Sequence, residues 1–230
     1  MKVLILTILT LLTSSYIEQN YLIKEFLDSY NENFREYDFY QDEINQYYFE
    51  DVIFYEIDTN SHISTGSNYS VLKVAVDDDN YIYKISGFNL DEYNKLVKKH
   101  PVVIDNHSVM LYGRFYLDLI STEYSNNKYY ILNLDNFIKY SYSIMKDSIN
   151  LHPQKIWETE KSKITQCLNK YDLNLIKYFP ANSLFIMDYF IWSENDGNIT
   201  KVSLSISEDG ICEILDKDII CNDIGYWSKY

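Results

Sequence analysis

The chain has 230 residues, with 34 Asp and Glu against 20 Lys and Arg, for a net charge of −14. That balance repels phosphate backbones and argues against a nucleic-acid binder. A hydrophobic content of 47% argues against disorder and is enough for one well-filled core or two small lobes.

The N-terminus opens with Met1-Lys2. An apolar run from Val3 to Leu12 follows, broken only by Thr7 and Thr10, and then the small residues Thr13-Ser14-Ser15. A positive start, a short apolar stretch and small residues form the pattern of a cleaved secretory signal. The run falls short of the about 20 residues that cross a bilayer, so no membrane span is expected. The expectation is a signal over 1–15, a mature chain starting near Tyr16, and a secreted or periplasmic location.

The predicted elements run as follows. Ile23, Phe26, Leu27, Tyr30 and Phe34 carry helical spacing over about 17–35. The acidic, aromatic stretch 36–50 matches no pattern. Asp51 to Ile57 is β-branched and aromatic, as strands are. Tyr69–Val76 and Tyr81–Ser86 flank Asp77-Asp78-Asp79-Asn80, which reads as a hairpin turn. Asn89 with Glu92 three residues on marks a helix start. Leu90, Tyr93, Leu96 and Val97 follow at helical spacing, and Lys98-Lys99-His100 before Pro101 mark the end. After a short strand at Val102–Ile104, a helix starting at Asn106 or Ser108 is predicted to reach about Glu123. Leu111, Phe115 and Leu119 lie on its apolar face.

Tyr129–Leu132 reads as a strand and Phe137–Ile149 as a helix. The break Asn150-Leu151-His152-Pro153 is the best candidate for an internal boundary, near 150–155, within a single domain over 16–230. A helix over about 158–171 follows. The C-terminus reads as a β-meander: strand Leu184–Trp192, turn Glu194–Asn198, strand Ile199–Ile206 and turn Asp209-Gly210. Hairpins outnumber strand–helix–strand units, so the fold class is α+β, an antiparallel sheet packed against three to five helices.

The cysteines are Cys167, Cys212 and Cys221. Residues 211–221 read as a tight hairpin about Asp216-Lys217, which would set Cys212 opposite Cys221. In an oxidising compartment that register predicts a Cys212–Cys221 disulfide. Cys167 shares a helix face with Ile164, Leu168 and Tyr171 and reads as a small buried apolar residue.

No phosphate loop, dinucleotide fingerprint or nucleophile elbow occurs. The histidines His62, His100, His107 and His152 lack metal-ligand spacing on a helix, and turn or helix-end roles account for them. Two acidic turns, Asp77–Asn80 and Glu194–Asn198, hold oxygen ligands of the type calcium prefers, but neither matches a full calcium-loop pattern. No catalytic residue, cofactor or metal is predicted. Asn68, Asn106 and Asn198 begin glycosylation-type triplets, at about the frequency chance would produce in so Asn-, Ser- and Thr-rich a chain. The 24 tyrosines are spread along the whole chain. Tyrosine suits half-buried sheet surfaces, with interface binding as the sharper alternative.

Export, surplus tyrosine and the lack of a catalytic motif lead to a non-enzymatic binding protein. A specific form is an inhibitor or immunity-type protector that caps a protein partner. The alternatives are an exported hydrolase with a carboxylate or histidine site, and a structural envelope component. Binding predicts an exposed aromatic patch, whereas an enzyme predicts a pocket with converging titratable groups.

Overall fold

The structure is a computed structural model that describes residues 41–43, 48–58, 71–86, 90–121, 128–148, 153–173, 175–193 and 196–224. The signal pattern, the predicted first helix, Asn68, His62 and His152 lie outside the described residues. The class is α+β, with two antiparallel sheets and four helices among the described residues. None of these helices is long and apolar enough to cross a membrane. The chain divides into two compact units. One comprises Met1–Pro101 with Leu119–Glu123; the other comprises Val102–Asp118 with Tyr124–Tyr230.

The first unit holds strands β1 (Gln41–Glu43), β2 (Val52–Asp58), β3 (Val71–Asp77) and β4 (Ile82–Lys84), paired in that order. Helix α1 spans Leu90–Lys99 and buries Tyr93, Leu96 and Val97. Alternation along β3 sorts the sheet into two faces. Leu72, Val74 and Val76 cluster with Tyr55, Ile53 and Ile82 on one face. Lys73, Ala75 and Asp77 occupy the other, with Tyr83 registered opposite Ala75.

The second unit begins with helix α2 (Val109–Ile120), whose residues through Asp118 belong to it. Strand β5 (Lys128–Tyr130) and helices α3 (Leu134–Ser148) and α4 (Pro153–Leu168) follow. Strand β6 (Ile176–Phe179) leads through a 3-10 turn at Pro180–Asn182 into β7 (Leu184–Ser193), β8 (Ile199–Ser207) and β9 (Cys212–Cys221). Strand β7 is central: β8 pairs along one edge, and β5 and β6 share the other. The meander β7-β8-β9 appears where the alternating sequence put it. Helix α3 starts at Leu134, before the predicted Phe137, because the Asn133 side chain accepts the Asn136 amide at 3.1 Å. Helix α4 starts with Pro153 in its first turn, a position where the missing N–H costs nothing.

Both faces of β7 are covered. Trp192 and Phe190 pack with Ile199, Phe137, Ile164 and Leu168 beneath α3 and α4. These two helices share one core within the second unit. On the opposite face, the Tyr189 hydroxyl donates to the carbonyls of Val109 and Met110 on α2 at 3.2 and 3.1 Å. A Cβ at Gly113 would lie 2.0 Å from the Tyr189 hydroxyl oxygen and 2.8 Å from Ile206. The helix approaches the sheet this closely only because Gly113 has no side chain. The inward face of α2 is therefore Val109, Tyr112, Gly113 and Tyr116, while the predicted face residue Leu111 is 59% exposed.

The expected cysteine hairpin does not form. Asp216 and Lys217 sit mid-strand in β9, registered opposite Ser203 and Val202. Ten residues rising about 3.3 Å each put Cys212 and Cys221 about 30 Å apart, far beyond a bridge. The turn into β9 lies at Glu208–Gly210, in agreement with the turn expected at Asp209-Gly210. Gly210 adopts φ 88°, and a Cβ there would meet Val102 at 2.1 Å and the Tyr112 hydroxyl at 2.6 Å. Cys221 instead bonds to Cys167 on α4, with Cα atoms 6.0 Å apart. A bulge decides this partner. Thr200 pairs with Ile219, but Ile199 pairs with Cys221, so Ile220 is the extra residue. The bulge moves Cys221 opposite Ile199, in the core that α4 covers. Cys212 remains a free, buried thiol.

Non-reducing peptide mapping should recover a Cys167–Cys221 cross-link and leave Cys212 alkylatable after unfolding; a Cys212-containing cross-link would refute the pairing. For a sequence separation of 54, loop entropy predicts a loss of about 4 kcal/mol on Cys167→Ser, read as a shift in urea midpoint. Gly113→Ala should cost about 1–3 kcal/mol by thermal melting, because the methyl group forces Tyr189 to move.

Candidate functional site

The densest polar cluster in the first unit centres on Asp77. Strand alternation turns this side chain to the α1 face, and position at the end of β3 puts it at the start of the tight turn. Its Oδ1 accepts the amides of Asp79 at 3.1 Å and Tyr81 at 2.9 Å, closing the turn over Asn80 at φ 61°. Its Oδ2 accepts the Tyr83 hydroxyl at 2.8 Å and Lys99 Nζ at 2.7 Å. Lys99, the last residue of α1, also bonds Asp79 at 2.6 Å. His100 Nε2 lies 3.5 Å from the same Oδ2 and is buried without a hydrogen-bond partner.

The calcium reading of this turn meets a physical obstacle. Carboxylate oxygens of Asp77, Asp78 and Asp79 lie within 4.8 Å of one another, as ligands would. The Lys99 ammonium already supplies the cation, and both Asp77 oxygens are engaged. In the other acidic turn, Asp196, Gly197 and Asn198 link β7 to β8. There the Gly197 carbonyl accepts the Ile224 amide at 2.6 Å. Glu194 and Asn195 lie outside the described residues.

The electrostatics of the Asp77 cluster hold protons in place. Burial raises the Asp77 pKa, but the Lys99 hydrogen bond, the Tyr81 amide, the Tyr83 hydroxyl and the Lys99 charge outweigh it and bring the value to about 2. Burial and the bond to Asp77 push Tyr83 up to about 12. The bonds to Asp77 and Asp79 raise Lys99. Each of the three groups keeps its resting charge throughout the neutral range. General acid–base work needs a group poised near the working pH, and these three are driven away from it.

Other buried polar groups follow the same logic. Lys73 is fully buried and lies 3.5 Å from Glu56, its cross-strand neighbour. The Tyr130 hydroxyl donates to Asp118 at 2.7 Å, with Arg114 4.6 Å above its ring. Burial and the Asp118 charge raise its pKa well above the usual value. Burial likewise raises the Cys212 thiol, the opposite of what activates a nucleophile. His107 is exposed at the start of α2, where its amide and that of Ser108 bond the Asp105 carboxylate. Among the glycosylation-type residues, Asn106 is exposed and Asn198 half-buried in its turn.

The tyrosines divide into two populations. Tyr55, Tyr83, Tyr93, Tyr112, Tyr116, Tyr130 and Tyr189 are buried, as sheet and core aromatics. Tyr178 belongs to a different environment. It lies in β6, a four-residue strand paired with β7 alone among the described residues. Leu175 is 44% exposed, Tyr178 38% and Phe179 44%, with exposed Lys177 between them. Tyr178 stacks on Phe185 with ring centroids 4.7 Å apart, and its hydroxyl donates to exposed Glu208. The sequence reading missed this strand: it is too short to show alternation and is cut off by Pro180.

Fold and clusters together define an α+β protein with an electrostatically locked turn and an aromatic sheet edge. Comparison with protein-family models, curated proteins and solved structures finds no match to this chain.

The two raised and lowered values set a pH window. A carboxyl depressed in the folded state stabilises above its unfolded pKa and loses that contribution as pH falls toward 2. For Asp77 this amounts to about 1–2 kcal/mol between pH 4 and 2, allowing for solvent screening. Tyr83, raised in the folded state, stabilises below about pH 10 and loses its contribution as pH rises toward 12. Asp77→Asn should flatten the acid limb of a stability–pH curve, and Tyr83→Phe the alkaline limb; unchanged limbs would show that the network is not coupled to folding.

Proposed function

We propose that this is an exported, non-enzymatic binding protein, secreted or periplasmic, that caps a protein partner through the Leu175–Phe179 edge. The observation that carries the reading is the exposure of Leu175, Tyr178 and Phe179 at and beside strand β6, which has one pairing neighbour among the described residues. Contiguous exposed apolar surface marks interaction sites, and aromatic side chains carry most of the energy at such sites. Export is supported by the sequence pattern at residues 1–15 and by the Cys167–Cys221 disulfide, a bond that persists in oxidising compartments. A net charge of −14 suits a basic partner and speeds its encounter. An inhibitor or immunity-type protector has these properties. Strand β9, an outer strand of its sheet, is a poorer docking edge. Two register shifts and Asp216, Lys217 and Asp218 disrupt it, devices that block strand addition.

The native protein, isolated from its envelope or secreted fraction, should begin near Tyr16 and carry a stoichiometric basic protein. Leu175→Ser/Phe179→Ser, with an unchanged circular dichroism spectrum, should weaken that association about 30-fold, the effect of losing one interface anchor. A mature chain that retains Met1, or a partner held equally by the variant, would overturn the reading.

A further inference from the structure

Helices α3 and α4 bound a groove that the partner-binding edge does not use. It is lined by Asp135, Ile138, Lys139 and Tyr142 from α3 and by Trp157 and Lys161 from α4. The spacing i, i+3, i+4, i+7 on one helix and i, i+4 on the other puts each set on a single face. The groove encloses about 360 Å³, the scale of a small-ligand site. The Tyr142 and Trp157 rings meet at 4.9 Å and 51°, a tilted pair that forms an apolar wall, with half-buried Ile138 also in the lining.

Several lysines elsewhere in the molecule are neutralised by carboxylates. Lys73, Lys95, Lys99 and Lys201 each lie within ion-pair distance of a carboxylate. A comparable cleft beside Tyr81 is lined by Lys95 and Lys99, which are neutralised in this way by Glu92, Asp77 and Asp79. Lys139 and Lys161 have no ion pair among the described residues, and both are exposed. Among the described lining residues Asp135 is the one carboxylate beside the two lysines, which leaves a single positive charge there. In a chain of charge −14 this is a local reversal of sign.

We infer that the α3–α4 groove binds a small organic monoanion with a planar apolar body. The ring lies along Tyr142 and Trp157, and the anionic head takes charge-assisted hydrogen bonds from Lys139 and Lys161. Aromatic and apolar walls with a few convergent charged groups are the usual construction of such sites.

The test is titration calorimetry of the whole mature protein with three probes: 2-naphthoate, the neutral 2-naphthalenemethanol, and acetate as the head group alone. Naphthoate should bind below about 1 mM, with the neutral compound about tenfold weaker and acetate undetectable. Lys139→Gln/Lys161→Gln, which alters only exposed side chains, should weaken naphthoate about tenfold, and Tyr142→Ala should weaken both ring compounds. The inference fails if naphthoate does not bind by about 1 mM, if the neutral compound binds equally, or if the double lysine variant binds naphthoate unchanged. Retention of a protein partner through Leu175 and Phe179 is unaffected by any of these outcomes.

Discussion

Strand β7 must be covered on both faces, and the second unit is arranged around that requirement. A ten-residue strand carrying Phe185, Met187 and Tyr189 on one face and Phe190 and Trp192 on the other exposes apolar surface in both directions. Each face recruits its own cover. Gly113 admits α2 on the Tyr189 side, while Phe137, Ile164 and Leu168 bring α3 and α4 over Trp192. The disulfide ties this second cover to the far strand of the sheet, because the Ile220 bulge turns Cys221 toward α4. Helix, bulge and bridge therefore follow from one burial problem.

The first unit answers a different constraint. A carboxylate whose side chain is wholly shielded from solvent must be met by donors, and Asp77 collects two backbone amides, a phenol and an ammonium. Those donors close the β3–β4 turn and fasten the C-terminal end of α1 to it. The same donors explain why the Asp77, Tyr83 and Lys99 groups are not tuned for proton transfer at neutral pH. Mutual stabilisation drives the pKa values of Asp77 and Tyr83 to the ends of the scale, where neither group exchanges protons in neutral solution. What is surrendered in reactivity is gained as a rigid turn.

Surface chemistry then separates recognition from architecture. Buried tyrosines hold sheets and helices together through their ring area, and Tyr112 also through its hydroxyl, which donates to the Gly210 carbonyl at 2.8 Å. The aromatic side chains of β6 and of the α3–α4 groove lie at the surface, where they gain little from the fold. One set lies beside a sheet edge; the other lines a groove with two exposed lysines.

Alternation and capping made much of the fold legible before any coordinates. Strand β7 shows period-two burial over 184–189, and α1 carries acids at its start and lysines at its end. The turn at Asp77–Asn80 was evident from its composition, but the partners of Asp77 were not, since Lys99 comes from a separate element 22 residues along the chain. Cysteine pairing was misread for a related reason. A run rich in Ile with Asp-Lys at its centre satisfies a hairpin and a continuous strand equally well. Local propensity therefore determined the α+β class, the meander and the position of most elements. Which face of α2 turns inward, which cysteine meets Cys221 and which aromatics stay exposed were decided only by tertiary packing, because each depends on register and close approach between segments far apart in the chain.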